Sequence, residues 1–501
     1  MQHFPWHRRA VLGAMAALGA RPLLALAAPF AAKTDPFALG VASGDPSRDG
    51  FVLWTRLVGP DARPLETGAI SVRYEVAEDE GFHRIVRSGE ARANPEAAHS
   101  IHVELGGLRP GRPYHYRFHA LGATSPVGRT ATVPERADRL RMALTSCQHW
   151  ELGWFSAYRD MLAGDPDLIV QVGDYIYETS YPDQPKVRDF GAPEPRDLNG
   201  YRARYALYRT DPDLQEAHRR VPWLVTWDDH EVWNDYAGLA NREGLPPDIF
   251  AARRAAAYQA YFEHMPIRPS LWRSMTTPRL YRGVDWGELV SLSMLDTRQF
   301  RSSPPCAAPS VARNVRLDHC AERQRPDRTM LGQAQEAWIN KRLSNERRPW
   351  TMLAQGVFFA PLALDGTGDV VFSDQWDGYA ASRTRLIEQM AHPNIRNPFI
   401  LSGDVHSFWL NDLNGADGQQ KIATEIVTSA LAAQSPPEGR FGDVMRNNSH
   451  IRFSDVTHSG YVRIEADARR MGVQYRALNL RQREPQPVIL HEIERESAER
   501  D

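Results

Sequence analysis

The chain has 501 residues, of which 42% are hydrophobic and 24% charged, a globular composition that excludes a wholly disordered, collagen-like or polytopic membrane protein. Its 60 Lys+Arg and 62 Asp+Glu leave a formal charge of −2, so a strongly basic nucleic-acid binder is excluded and no stable nucleic-acid partner is expected. Thirteen Trp, 17 Tyr and 18 Phe suffice for a sizeable core and for lining a pocket.

Residues 1–32 read as an address. His7-Arg8-Arg9 precedes an Ala/Leu/Met stretch that is shorter than the ~20 residues of a membrane span. Small residues follow at Ala25-Leu26-Ala27 and Phe30-Ala31-Ala32, as at a signal-peptide cut site. The Arg pair ahead of a weakly apolar core matches a twin-arginine signal. The expectation is export through the twin-arginine machinery to the periplasm or the extracellular space. Cys306 and Cys320 share one Pro-rich polar stretch and can pair in an oxidising compartment. Cys147 is then the odd thiol, either a buried structural Cys or a metal ligand or nucleophile.

Residues 36–135 read as all-β. Phe51–Thr55, Ile70–Val76 and Tyr114–Phe118 alternate with period two between turn residues, which suggests a small N-terminal β-sandwich. From Leu140 to about 480 the grammar is α/β, with buried strand-like runs at Leu140–Ser146, Leu168–Val172, Trp223–Thr226, Leu289–Met294, Thr351–Val357, Phe399–Ser402 and Ile422–Val427. Phe155–Ala163, Ile249–His264, Gly332–Ser344 and Tyr379–Met390 read as helices, with Arg253 and Arg254 on a solvated helix face. The acidic segment 485–501 is expected to be helical, with a lid over the site as one role for it.

Ligand-type residues follow the strand ends: Cys147-Gln148-His149, Gly173-Asp174-Tyr175-Ile176-Tyr177-Glu178, Asp228-Asp229-His230-Glu231, Asp296-Thr297-Arg298 and Asp404-Val405-His406. In open α/β sheets ligands bind beyond the carboxyl ends of strands. Any one motif is equally readable as a helix cap or turn; five together point to one shared site. So many carboxylates stay ionised only with cations between them. Thiolate, phenolate and imidazole suit iron or zinc, whereas oxygen donors suit calcium, magnesium or manganese. Two ions about 3.5–4 Å apart would clamp a phosphate and deliver hydroxide in line, with Arg298 as a fork on the phosphate oxygens.

These residues carry a pattern. "FALGVASGDPSRDGFVLWTRL" at 37–57, "SCQHW" at 146–150, "GDYIYE" at 173–178, "TWDDHEVWND" at 226–235, "LDTRQFRS" at 295–302 and "LSGDVHSFWL" at 401–410, with the Arg-Arg signal, resemble the PhoD-like alkaline phosphatase family, which is related to the metallophosphoesterases. The resemblance implies a two-sheet α/β/β/α catalytic domain behind a β-sandwich. It implies hydrolysis of small phosphate mono- and diesters, with phospholipid headgroups (a phospholipase D activity) as the alternative substrate. It further implies Fe(3+) held by Cys147, Asp174, Tyr177 and His406. Calcium would share Asp174 and take Asp404, Asn234 and one or more of Asp228, Asp229 and Asp235. Mn, Mg or Zn remain alternative metals. The residues themselves leave His230 open as a ligand, a phosphate donor, a general acid or an orienting group, with Asp229 beside it in the reacting group.

Overall fold

The computed structural model describes residues 35–415, 418–436 and 444–497, so the proposed signal segment lies outside the described residues. Among the described residues no helix is long and apolar enough to cross a membrane.

Two large sheets face each other. The first has nine strands in the order Val488–Glu496, Arg470–Ala477, Gly460–Asp467, Arg139–Thr145, Leu168–Val172, Trp223–Thr226, Val41–Ser47, Gly50–Arg56 and Ser100–Glu104. The second has seven, in the order Arg282–Trp286, Val290–Met294, Trp350–Ala354, Pro398–Ser402, Lys421–Val427, Phe408–Asn414 and Ile451–Asp455. The central strands are parallel, with Leu168 opposite Met142 and Leu401 opposite Ile426. Leu168–Val172, Val290–Met294 and Pro398–Ser402 are buried at every position, as strands covered on both faces must be. One apolar cluster joins the sheets, with Leu144, Val170 and Ile464 from the first and Leu292, Met352, Leu401 and Leu410 from the second. A second cluster packs Ala157–Ala163, Leu198–Tyr208, Pro212–Arg220 and Pro247–His264 on the outer face of the first sheet. A third packs Gln333–Ser344 and Ala380–Met390 on the outer face of the second.

The N-terminal region is all-β but not a separate sandwich. Val41–Ser47, Gly50–Arg56 and Ser100–Glu104 complete the nine-stranded sheet; the rest form a five-stranded sheet. Both share one core, in which Phe51, Leu53 and Val103 meet Val72, Tyr116 and Phe118. The expected C-terminal helix is a strand, Val488–Glu496, paired antiparallel with Arg470–Ala477 at the sheet edge, with Ile493 opposite Val473. Val488, Ile489 and Ile493 are β-branched, and pairing with a strand that offers Val473 and Tyr475 outweighs the acidic residues that suggested a helix. This segment does not line the site cavity. Arg253 and Arg254 are also not on a solvated face. Both are buried, Arg253 stacking 4.0 Å over Trp233 and donating to Glu194 at 2.8 Å.

Candidate metal and phosphate site

Four of the five strand ends converge. Cys147, Asp174 and Asp228-Asp229 follow adjacent parallel strands of the first sheet, and Asp404-Val405-His406 follows Pro398–Ser402 of the second. Cys147, Asp174, Asp404 and His406 all hold positive φ, at 55°, 57°, 67° and 50°. Left-handed backbone at a non-glycine residue costs roughly 1–3 kcal/mol, and such residues cluster where function requires them. The loops also need glycine. A Cβ on Gly173 (φ 113°) would lie 2.4 Å from Asp228 Cβ, and one on Gly356 would lie 2.6 Å from Asp228 Cγ.

Cys147, Asp174 and His406 each present a donor atom, all within 4.8 Å of one another. The Tyr177 hydroxyl donates to Asp174 Oδ2 at 3.0 Å and lies 2.9 Å from His406 Nε2, so it belongs to the same knot. His406 Nδ1 is 2.8 Å from the Gln434 carbonyl, which can only accept. Nδ1 therefore carries the proton, and Nε2 turns its lone pair to the knot. The ring of His149 packs 4.7 Å from that of Tyr177, which makes it a buttress for the phenol.

Asp228, Asp229 and Asp404 form a second group of three, and Asp174, Asp229 and His230 a third that shares Asp174 and Asp229 with the others. The two donor sets differ in kind. The first is sulfur, phenol, carboxylate and imidazole, which suits a transition metal; the second is oxygen only. Asp229 Oδ1 is buried with no hydrogen-bond partner among the described residues and meets the Arg298 guanidinium only at 3.6 Å, as an oxygen free to ligate a metal ion would. Burial pushes Asp174, Asp404 and the Cys147 thiol well above their ordinary pKa values, with neighbouring carboxylates adding to the rise. Burial likewise lifts Asp228 to about 6, despite Arg298, and Asp235 to about 7. Ionising the whole set requires positive charge among these groups.

Two glutamates that the sequence reading left without a role organise the site. Glu231 accepts from the backbone N–H of Asp174 at 3.0 Å, Tyr175 at 2.6 Å and Asp228 at 2.9 Å, which ties two strand-end loops together. Glu178 lies 2.7 Å from His230 Nδ1 and accepts from Asn234 N at 2.9 Å. Burial pulls the His230 pKa down, but Glu178 and Asp229 overcome it and raise it well above the ordinary value. Glu178 and Glu231 sit inside quoted motifs, where they carry no distinguishing spacing. Gln375, which donates to Asp404, and Asn314, whose N–H donates to Asp235 Oδ2 at 2.9 Å, come from stretches with no periodic or motif signal.

Arg298 differs from expectation. It is fully buried and absent from the cavity lining. Its guanidinium forks onto Asp228, with Nη2 3.0 Å from Oδ2, and reaches Asp374 Oδ1 at 2.8 Å and Asp229 and Asp404 at 3.6 Å. A fork committed to four carboxylates holds the acidic cluster together and is not presented to a phosphate. The fourth strand end thus acts from behind; Asp296 Oδ1 accepts from the N–H groups of Arg298 and Gln299, both at 3.0 Å.

The groups open into a cavity of about 310 Å³ lined by Asp174, Asp229, His230, Asn234, Asp404 and His406, with Leu152, Tyr181, Leu362 and Phe372 as its apolar wall. Trp227, Trp233, Trp376 and Trp409 are core residues and do not line it. Cys306 and Cys320, 14 residues apart in sequence, form a disulfide.

Residues 142–475 match the PhoD-like phosphatase family, and residues 24–134 match the PhoD-like phosphatase N-terminal domain. The chain belongs to the PhoD-like phosphatase family. It is 39% identical over 464 residues to alkaline phosphatase D of Bacillus subtilis (strain 168), covering 88% of this chain and 78% of that protein. A solved structure described as the structure of PhoD superposes with a TM-score of 0.87 at 36% identity, covering 94% of this chain and 92% of that one. This PhoD-like chain is a phosphoric ester hydrolase.

Proposed function

We propose that the protein is an exported, metal-dependent phosphatase and phosphodiesterase whose cavity takes a phosphate ester between a transition-metal subsite and an oxygen-donor subsite. The observation that carries this reading is the convergence of Cys147, Asp174, Tyr177 and His406 beside Asp228, Asp229 and Asp404. The first four would hold a ferric ion; Asp174, Asp404, Asn234 and the 228–229 pair would hold calcium, with Mn, Mg or Zn as alternatives. When bound, such ions supply Lewis-acid charge to the phosphate and lower the pKa of the attacking water.

The chain's own groups do the rest. His230, protonated against Glu178, lines the cavity and is placed to give a proton to the leaving oxygen or to hold a phosphate oxygen. Glu231 keeps Asp174 and Asp228 in register, and Arg298 holds Asp228 against its neighbours. The facing sheets, with helices outside each, support the two-sheet α/β/β/α reading of the catalytic frame. Export is supported by the Arg8-Arg9 segment and by the Cys306–Cys320 disulfide, since disulfides persist in oxidising compartments. The test is turnover of p-nitrophenyl phosphate and bis(p-nitrophenyl) phosphate by protein stripped with chelator and reloaded with single ions. Loss on stripping and return on reloading are expected; no turnover with any ion would refute the reading.

A further inference from the structure

We infer that Arg209 and His218 hold a small monovalent anion, chloride, in the interior of the protein behind the loops that carry the metal-ligand candidates. Arg209 directly follows the helix Leu198–Tyr208 and is fully buried. Its Nη2 donates to the His264 carbonyl at 2.6 Å, and its guanidinium carbon stacks 4.1 Å over the Trp54 ring. Nε and Nη1 are buried with no hydrogen-bond partner among the described residues. The ionisable groups whose charge reaches Arg209 are the phenols of Tyr175, Tyr116 and Tyr158, with no carboxylate among them.

A guanidinium does not give up its proton in a protein, and a buried charge without a counter-charge is strongly destabilising. The acids closest in sequence to Arg209 and to its partner His264 are committed elsewhere. Asp211 takes Arg188 at 2.6 Å and caps the N–H groups of Asp213 and Leu214. Glu263 accepts both prongs of Arg202, each at 2.6 Å. His264 brings no negative charge either. Its Nδ1 lies 2.6 Å from the Ala260 carbonyl and so carries the proton, which leaves Nε2 to accept from Arg56 Nη1 at 2.5 Å. Arg56 is as deeply buried and adds a second cation to the region. The face of Trp54 offsets part of the Arg209 charge. Buried water would satisfy its N–H groups but leave the charge itself unbalanced.

His218 supplies a further donor. It is fully buried, its ring stacks 3.8 Å on Trp223, its Nε2 lies 3.0 Å from the Tyr175 hydroxyl, and its Nδ1 has no hydrogen-bond partner among the described residues. Burial and the charge of Arg209 push its pKa well below the ordinary value, so the ring is neutral and within electrostatic reach of the guanidinium. With the Tyr175 hydroxyl donating to Nε2, the ring's one proton sits on Nδ1. Two buried side chains thus present three N–H donors that need an acceptor, and one of them needs a negative charge. A single positive charge among aromatic rings suits a monovalent ion and not a strongly hydrated dianion such as sulfate. The site braces the catalytic loops from behind. The hydroxyl of Tyr208, next to Arg209, accepts from the backbone N–H groups of Trp150 and Tyr177, both at 3.0 Å, and Tyr175 adjoins Asp174.

The test uses the metal-replete full chain, as wild type and as Arg209→Met, which keeps an unbranched side chain and removes the charge. Wild-type crystals grown in sodium bromide should show an anomalous peak at the bromine edge in contact with Arg209 and His218. In solution, wild-type Tm should be higher in sodium chloride than in sodium isethionate at equal ionic strength, which matches the screening of surface charges. The difference should grow with chloride concentration as for one site offered only by the folded chain. It should vanish in Arg209→Met. Absence of a bromide peak at Arg209, or a chloride effect of the same size in Arg209→Met, would overturn the inference. If Arg209→Met does not fold, the wild-type bromide map decides alone.

Discussion

Replacing Arg298 separates two roles that give opposite signatures. Its guanidinium is fully buried and reaches Asp228, Asp374, Asp229 and Asp404. Arg298→Met removes a cation that reaches all four carboxylates. Removing one member of a buried pair costs about 3–5 kcal/mol, because the other charge is left without compensation. Here Asp228, already lifted to about 6, limits the loss by taking up a proton, which places the expectation at the lower end of that range. Arg298→Lys keeps the charge but loses the fork, which corresponds to about 1.5–3 kcal/mol for one charge-assisted hydrogen bond. The assay is urea unfolding of each variant, chelated and metal-loaded, alongside kcat and KM on p-nitrophenyl phosphate. The expected result is reduced stability in both variants, larger in Met than in Lys, with activity falling through metal retention. If both variants unfold within about 0.5 kcal/mol of wild type, as an uninvolved side chain does, and show only a raised KM, Arg298 is a phosphate fork and the assignment is wrong.

Other outcomes follow from the same contacts. Glu178→Gln removes the carboxylate that holds the His230 pKa up, so the alkaline limb of the pH–rate profile should move to lower pH. Turnover of alkyl esters should fall by about a hundredfold, the low end of general acid catalysis, and that of p-nitrophenyl esters by less; an unshifted limb would exclude His230 as the proton donor. Glu231→Ala orphans three buried N–H groups at about 1–3 kcal/mol each before relaxation, so metal affinity and thermal stability should fall together, read by calorimetry. Because Asp174, Asp404 and Cys147 sit well above their ordinary pKa values without a cation, metal uptake should release protons and weaken as pH falls, measurable in a pH-stat titration. Removing the Cys306–Cys320 disulfide frees a loop of 14-residue separation, worth about 3 kcal/mol by chain entropy. That loop carries Asn314, which donates to Asp235. The double Ser variant should therefore become protease-sensitive between 306 and 320 and lose activity in parallel.

The sequence reveals the site wherever chemistry follows directly on a buried strand. Leu168–Val172 and Trp223–Thr226 have the bounds that their apolar runs suggest, and the residues immediately after them converge because adjacent parallel strands end side by side. What stays hidden depends on tertiary partners. Arg298 looks like a phosphate ligand until Asp228 and Asp374 are seen against it. Glu178 and Glu231 have the right residue type, but only their backbone partners show what they hold. Asn314 and Gln375 lie in irregular segments brought in by the short ladder between Arg316–Asp318 and Val370–Phe372. The terminal strand escapes notice because acidic residues crowd it and because the two residues packed against the core, Leu490 and Ile493, are three apart, the period of two being broken by the register shift opposite Tyr475 and Arg476. The N-terminal strands alternate clearly, yet nothing local announces that Gly44 will pair with Trp223 and join two regions in one sheet.

The central claim is that the strand-end side chains hold the ions on which ester hydrolysis depends. It is tested most directly by elemental analysis of natively purified wild type, Asp174→Asn and Cys147→Ser, with p-nitrophenyl phosphate turnover on the same samples. Asp174 belongs both to the group with Cys147 and His406 and to the group with Asp229 and His230, so Asp174→Asn should lose metal from more than one subsite and lose turnover with it, while Cys147→Ser should lose the transition metal and its colour. Wild-type metal content and turnover in Asp174→Asn would contradict the account.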